Sequence, residues 1–441
     1  DLGGQGFPGE LNTQEVFKVM DDLKAARVPV LILSGGEPLL RPDIFDIARR
    51  AKGMGFYVGL SSNGTLIDES NIDAIDDIGF DYVGVSLDGI GATHDHFRRK
   101  QGAFVASMHG IRLCRERGIK VGVRYTMTEG NAHDLPALLK LVEDEAIDKF
   151  YFSHLNYAGR GNKNRAGDAH HRTTREAMEL LFETCLELHR RGIDKDFVTG
   201  NNDADGPFLL HWVQRRFPDK AAHIEAKLRQ WGGNASGVNV ANIDNLGNVH
   251  PDTMWWHYTL GNVKDRPFSE IWPDTSDVLM AGLKQHPRAV KGRCGACAYL
   301  QICNGNTRVR AQQMTGDERQ QRHAEQQTDG GEHDVADALH HAVGAGERRL
   351  ADAHHRHAAH VLQAALDDAD AEDIGHEVQR GGRALHGFEQ LDDARLRAQR
   401  QGDEHLLDAV CTDVGRGVEQ VAQALVERAG MHAGVRPVVE V

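Results

Sequence analysis

Short apolar runs alternate with stretches in which apolar residues recur every three or four positions, from residue 11 to about residue 156. Val16, Phe17, Val19, Met20 and Leu23 have helical spacing within 11–26, behind Asn12 or Thr13 as a possible N-cap. Strands are predicted at 28–33, 56–61, 82–87, 120–126 and 149–155, with helices at 43–54, 69–78, 104–117 and 135–145 between them. Strands that are apolar throughout and separated by helices imply βαβ units and a buried parallel sheet. A last outer helix is predicted at 174–191, where Cys185 lies among Leu181, Phe182 and Leu188 and reads, like Cys114, as a buried thiol.

The pattern then changes. Residues 192–230 read as a mixed connecting region, and 237–249 as a hairpin turning through Asn245-Leu246-Gly247-Asn248. A short helix and a cysteine cluster follow. Three segments result: 1–192, a partial barrel; 193–316, a connecting region with a small cysteine-rich domain; and 317–441, a low-complexity tail. The tail has no lysine and a single aromatic residue, Phe388, yet holds twelve of the 25 histidines. Such a composition carries too few large apolar side chains for a core, and fits an out-of-frame stretch, an acidic disordered extension or an amphipathic helical one.

Composition narrows the function classes. Against 65 acidic residues stand 51 Lys and Arg, a formal charge of −14, which argues against nucleic acid as partner. No run of about 18 apolar residues is present to span a membrane. Three of six cysteines bunch as Cys294-x2-Cys297-x5-Cys303 beside Gly292, Gly295 and Gly305, which suits a metal centre in the reducing cytoplasm better than a disulfide framework. Thiolates so spaced can wrap an iron–sulfur cluster or, alternatively, zinc.

The other candidate chemistry lies where the strands end, the ligand-binding end of barrel enzymes. Gly35-Gly36-Glu37-Pro38 follows the first apolar run: glycines bare the backbone, the carboxylate can take an ammonium group, and proline stops the strand. Asn63, Ser86 and Asp88 are short polar side chains at strand ends, suited to ribose hydroxyls or a carboxylate, and Arg124 is a fork for a carboxylate. Cations at or after strand ends, Arg124, His154, Arg160, Lys163 and Arg165, suit a carboxylate-rich substrate. His154, His250 and His257 could ligate iron axially, though each reads first as a satisfied structural histidine.

Gly35 to Pro38, Ser61-Ser62-Asn63-Gly64-Thr65, Ser86-Leu87-Asp88-Gly89, His94-Asp95-His96-Phe97-Arg98 and Gly102-Ala103-Phe104 together resemble the radical S-adenosylmethionine (SAM) enzymes with a C-terminal cluster domain. Phe7 to Leu11, Asn156 to Gly161, His250 to Thr253, Trp255 to His257 and the three cysteines resemble, more narrowly, the tetrapyrrole-modifying branch active in heme d1 biosynthesis. The resemblance implies an α/β fold, a partial (β/α)6 TIM-type barrel, with SAM, a 4Fe–4S cluster and an auxiliary iron–sulfur cluster as cofactors. It implies loss of propionate side chains from didecarboxysiroheme through a 5'-deoxyadenosyl radical, with an electron donor such as ferredoxin or flavodoxin. The chain departs from the family in lacking the Cys-x3-Cys-x2-Cys loop, expected with a first barrel strand just before Asp1. The expectation is therefore an inactive fragment with an open edge along 28–33. The alternatives are a heme-forming decarboxylase, a peptide-modifying maturase, or a non-catalytic tetrapyrrole- or metal-binding protein.

Overall fold

The computed structural model describes residues 8–316 and 438–440; the remainder of the tail, including its histidines and Cys411, lies outside the described residues. The first helix, Thr13–Ala25, starts where Asn12 accepts from the Gln14 and Glu15 backbones, each at 3.0 Å, while Glu15 returns to the Asn12 N–H at 2.8 Å. That reciprocal cap satisfies donors the helix cannot, and Val16, Val19, Met20 and Leu23 face the core.

Six parallel strands follow in order: β1 (Val30–Leu33), β2 (Tyr57–Ser62), β3 (Tyr82–Ser86), β4 (Val121–Met127), β5 (Lys149–His154) and β6 (Asp196–Gly200). Their helices run mainly at Ile44–Gly53, Ile72–Ile78, Ala103–Glu116, Leu135–Asp144 and His171–Arg190. This is a curled (β/α)6 half-barrel: the alternation predicted its first five strands and the parallel sheet, and the resemblance implied the six-unit barrel. Alternate residues Leu31, Leu33, Val58, Leu60, Val83, Val85, Val121, Val123, Phe150 and Phe152 belong to the buried core. The opposite, concave face is built differently. A Cβ on Gly59 would come within 2.7 Å of Ile32, one on Gly84 within 2.9 Å of Tyr82, and those on Gly122 and Gly200 would collide with Tyr82 and Tyr151. Glycine is required there so that tyrosine rings can lie flat across the strands.

Three features differ from the sequence reading. The sixth strand, with helices Asp205–Arg216 and Ala221–Trp231, falls in the region read as connecting. Cys185 sits on the exposed face of its helix, whereas Cys114 is buried as expected. Most consequentially, the edge of β1 is not open. Beyond the hairpin strands β7 (Val240–Ile243) and β8 (Asn248–His250) and the short β9 (Gly261–Asn262), strand β10 (Val438–Glu440) pairs in parallel with β1 on one side and β7 on the other. The sheet order is β6-β5-β4-β3-β2-β1-β10-β7-β8-β9, and Val439 is fully buried. Val438 and Val439 give β10 the β-branched apolar character that strands favour.

Candidate functional site

Beyond β1 the backbone is bare. Gly35 has φ of +134°, both glycines are exposed, and nothing lies within 4 Å of where their Cβ atoms would be. Glu37 then turns inward. Its carboxylate accepts from the Leu39 N–H at 3.2 Å, Ser62 Oγ at 2.8 Å and the Asn63 N–H at 2.7 Å, bracing the end of β1 against the end of β2. Burial pushes its carboxyl above the usual range, and these donors, with the Arg98 charge, oppose that rise. Asn63 closes a turn by accepting from the Thr65 N–H at 2.8 Å, and its carbonyl takes Ser107 Oγ at 2.7 Å.

The ends of β3 and β4 are tied in the same manner. Asp88 is 1% exposed; one oxygen accepts from the Thr126 N–H at 2.8 Å and the other pairs with Arg98. The Asp88 N–H donates to His94 Nδ1 at 2.9 Å. Burial, reinforced by the Arg98 charge, lowers His94 to about 4, so it is a neutral acceptor at physiological pH. Asn131 Nδ2 bridges the Asp88 and Thr126 carbonyls, each at 2.9 Å. Ser86 is in register with Arg124, and Arg124 with Tyr151. Arg124 lies on the concave face, 5.5 Å from the Tyr151 ring centroid and bonded to Ser61 Oγ. Gly35, Gly36, Glu37, Asn63, Ser86, Asp88 and Arg124 thus come together along one rim, with Glu37 and Asp88 as its internal braces.

Past β5 the predicted cations divide. His154 is buried and meets Asp205 Oδ2 at 3.0 Å. His250, also buried, meets Asp244 Oδ2 at 3.2 Å and the Tyr258 carbonyl at 2.7 Å. Both are enclosed in the packing. Arg160, Lys163 and Arg165 are exposed, and so is His257, which reaches Gln312. Helix Arg308–Thr315 is fastened over this rim: Arg310 pairs with Asp168 and stacks 4.3 Å from the Tyr157 centroid, and Asn162 Nδ2 donates to Gln313 at 2.9 Å. Sequence reasoning missed Arg310 and Asp168, whose partnership spans 142 residues, and named Tyr157 only as part of the Asn156 to Gly161 stretch that carries the resemblance.

The cysteine segment is anchored on the loop after β6. Thr307 Oγ1 donates to the Asn201 carbonyl at 2.9 Å, Asn306 Nδ2 to Asn202 at 2.7 Å, and the Asp203 N–H to Asn306 at 2.9 Å. Cys294 and Cys303 are half-buried and Cys297 is exposed. The thiols influence one another electrostatically; burial pushes Cys303 up to about 12, Asp203 and Cys294 add to this, and Arg308 and the Gly305 N–H oppose it. Among the described residues no three His, Cys, Asp or Glu side chains converge closely enough to hold a metal ion. Three thiols with a neighbouring cation are the donor types of a thiophilic centre, which the sequence spacing led us to expect, but among the described residues they do not converge as one. No helix among the described residues is long and apolar enough to cross a membrane.

The sequence profile of the Radical SAM superfamily matches residues 3–142. The chain is 54% identical over 313 residues to the pre-heme d1 synthase of Dinoroseobacter shibae, covering 70% of this chain and 77% of that protein. It is 43% identical over 313 residues to the Fe-coproporphyrin III synthase of Methanosarcina barkeri, covering 70% and 78%. Among solved structures, Streptococcus suis SuiB bound to precursor peptide SuiA superposes with a TM-score of 0.55 at 16% identity, over 71% of this chain and 68% of that one, a likeness of fold.

Proposed function

Because the chain belongs to the radical SAM superfamily, we propose that it acts in heme d1 biosynthesis, removing propionate side chains from didecarboxysiroheme. The 54% identity to a pre-heme d1 synthase carries this reading. The family's cofactors are S-adenosylmethionine and a 4Fe–4S cluster, which when bound supply a carbon radical.

The residues present support binding of the nucleotide. Bare Gly35 and Gly36 leave backbone open to the methionine end of SAM. A carboxylate offers about four lone-pair sites, and the protein's own donors fill three on Glu37, so one is left for an ammonium group. Ser86 and Arg124, in register across β3 and β4, suit ribose and carboxylate. The residues do not fit the SAM-binding cluster: the six cysteines include no Cys-x3-Cys-x2-Cys triad. Arg160 and Lys163, exposed past β5, supply positive charge for propionates, and His257 flanks the same helix-capped rim. Cys294, Cys297 and Cys303 would hold the auxiliary cluster, and a ferredoxin or flavodoxin would deliver electrons.

Titration of the protein with didecarboxysiroheme, followed by its visible absorption, tests the substrate. Saturable binding that weakens at least tenfold in Arg160→Gln/Lys163→Gln is expected. Equal binding of a tetrapyrrole lacking propionates would overturn the assignment. The 43% identity to the archaeal enzyme favours a second reading, a decarboxylase of the iron-coproporphyrin type, which tighter binding of iron coproporphyrin would identify.

A further inference from the structure

Exposed cations recognise a polyvalent anion selectively only where their spacing is fixed beforehand. Arg160 and Lys163 are exposed and stand on a helix of 5 residues, Gly159–Lys163, too short to be stable by itself. The fold supplies what the turn lacks. Gly161 is seated on the chain just past β5, where a Cβ would collide with the Asn156 carbonyl. Asn162 Nδ2 donates to Gln313 at 2.9 Å, and Arg165 donates to the Asn162 and Gln313 carbonyls, each at 3.1 Å, so helix Arg308–Thr315 holds the turn where it is.

Arg310 fixes where the segment begins and ends. Its Nη1 donates to the Leu155 carbonyl at 3.4 Å, and its Nη2 donates to the Tyr157 hydroxyl at 3.1 Å and pairs with Asp168. Tyr157 in turn donates to Asp168 at 2.9 Å, and its ring lies under the guanidinium. One guanidinium therefore gathers both ends of 155–168, between which the two cations lie. A lysine would keep the charge but not the planar fork that spans these oxygens. Asp168 neutralises Arg310, so its service to a ligand runs through the segment it holds. We propose that Arg310 is a positioning residue for substrate recognition: by tying both ends of 155–168 to helix Arg308–Thr315, it sets the spacing at which Arg160 and Lys163 meet the carboxylates of a tetrapyrrole. The inference rests on reading those two cations as carboxylate-binding.

The test is titration of the full chain with didecarboxysiroheme, with its methyl ester and with SAM. The proteins are wild type, Arg310→Met, Arg310→Lys, and Arg160→Gln/Lys163→Gln with and without Arg310→Met. Wild type should prefer the free acid over the ester by about tenfold, a preference that falls about fivefold in Arg310→Met and Arg310→Lys alike. SAM and ester affinities should stay within about twofold in both, and Arg310→Met should add nothing to the doubly substituted protein, because it acts through cations already gone. An unchanged acid preference in both variants, its return in Arg310→Lys, or an additive loss in the doubly substituted protein overturns the role of Arg310. So does a parallel fall in SAM affinity, the mark of a merely structural contact. Should Arg310→Met not fold, Gln313→Ala, which releases Asn162, reads the same preference at smaller amplitude, and an unchanged preference there overturns the proposal. Wild type that binds acid and ester equally removes the carboxylate reading of Arg160 and Lys163, and the inference with it.

Discussion

The rim over β1 to β4 and the rim past β5 use buried charge in opposite ways. In the first, Glu37 and Asp88 each accept from a backbone N–H at the adjacent strand end, Asn63 and Thr126, so the carboxylates set the shape of an open backbone cradle. In the second, the buried histidines face carboxylates, His154 on Asp205 and His250 on Asp244, while the exposed cations lie on short helical turns above them. One rim holds a bare, braced backbone; the other holds a scaffold under a charged surface. Disturbing the first should change ligand affinity and stability together, whereas disturbing the second should separate them.

The sharpest test of that separation is Asp205→Ala, which leaves His154 without its carboxylate partner. A loss of about 3 kcal/mol is expected from chemical denaturation, with SAM affinity by calorimetry within a factor of two. A comparable loss of SAM affinity would break the contrast. Glu37→Ala should cost about 2–3 kcal/mol, because the Asn63 N–H and Ser62 hydroxyl lose a charged acceptor, and should weaken SAM binding more than tenfold. His94 sharpens the first rim through pH. Its folded value of about 4 lies below the ordinary 6.5, so the unfolded chain binds the extra proton between those values. Stability should therefore be full above about pH 6.5 and fall as pH drops toward 4, by on the order of 3 kcal/mol. His94→Asn, which keeps an acceptor for the Asp88 N–H, should flatten that slope in acid-denaturation curves. The smallest effect is Arg310→Gln, about 1 kcal/mol for a part-exposed pair, read as faster amide exchange confined to helix Arg308–Thr315.

How much was legible in the sequence follows the range of the interactions. The alternation of apolar runs and helical patterns located β1 to β5, because each strand's core contacts are written in its own residues. The glycine-acid-proline run marked the bare backbone for the same reason. Asp196–Gly200 was missed because a short strand behind Asp194 and Lys195 carries too little apolar pattern to stand out. Pro207 and Pro218 similarly interrupted the helical signal around Asp205–Arg216. Whether a histidine is exposed depends on partners elsewhere: Asp205 lies 51 residues from His154, and no local pattern announces it. The pairing of β10 with β1 was invisible for that reason too, since three residues in a stretch of unrelated composition supply it.

That last pairing has a bearing on how the protein is made. Leu33 and Val438 are separated by about 400 residues, which at 5–20 residues per second leaves roughly 20–80 s between their synthesis. Until Val438–Glu440 is made, the sides of β1 and, once synthesised, of β7 that face it lack the partner the described structure gives them, and exposed strand edges of this kind are where nascent chains stick to one another. A ribosome-bound intermediate with this seam unzipped is a natural client for a chaperone, and slowing translation before Val438 should raise the fraction lost to inclusion bodies.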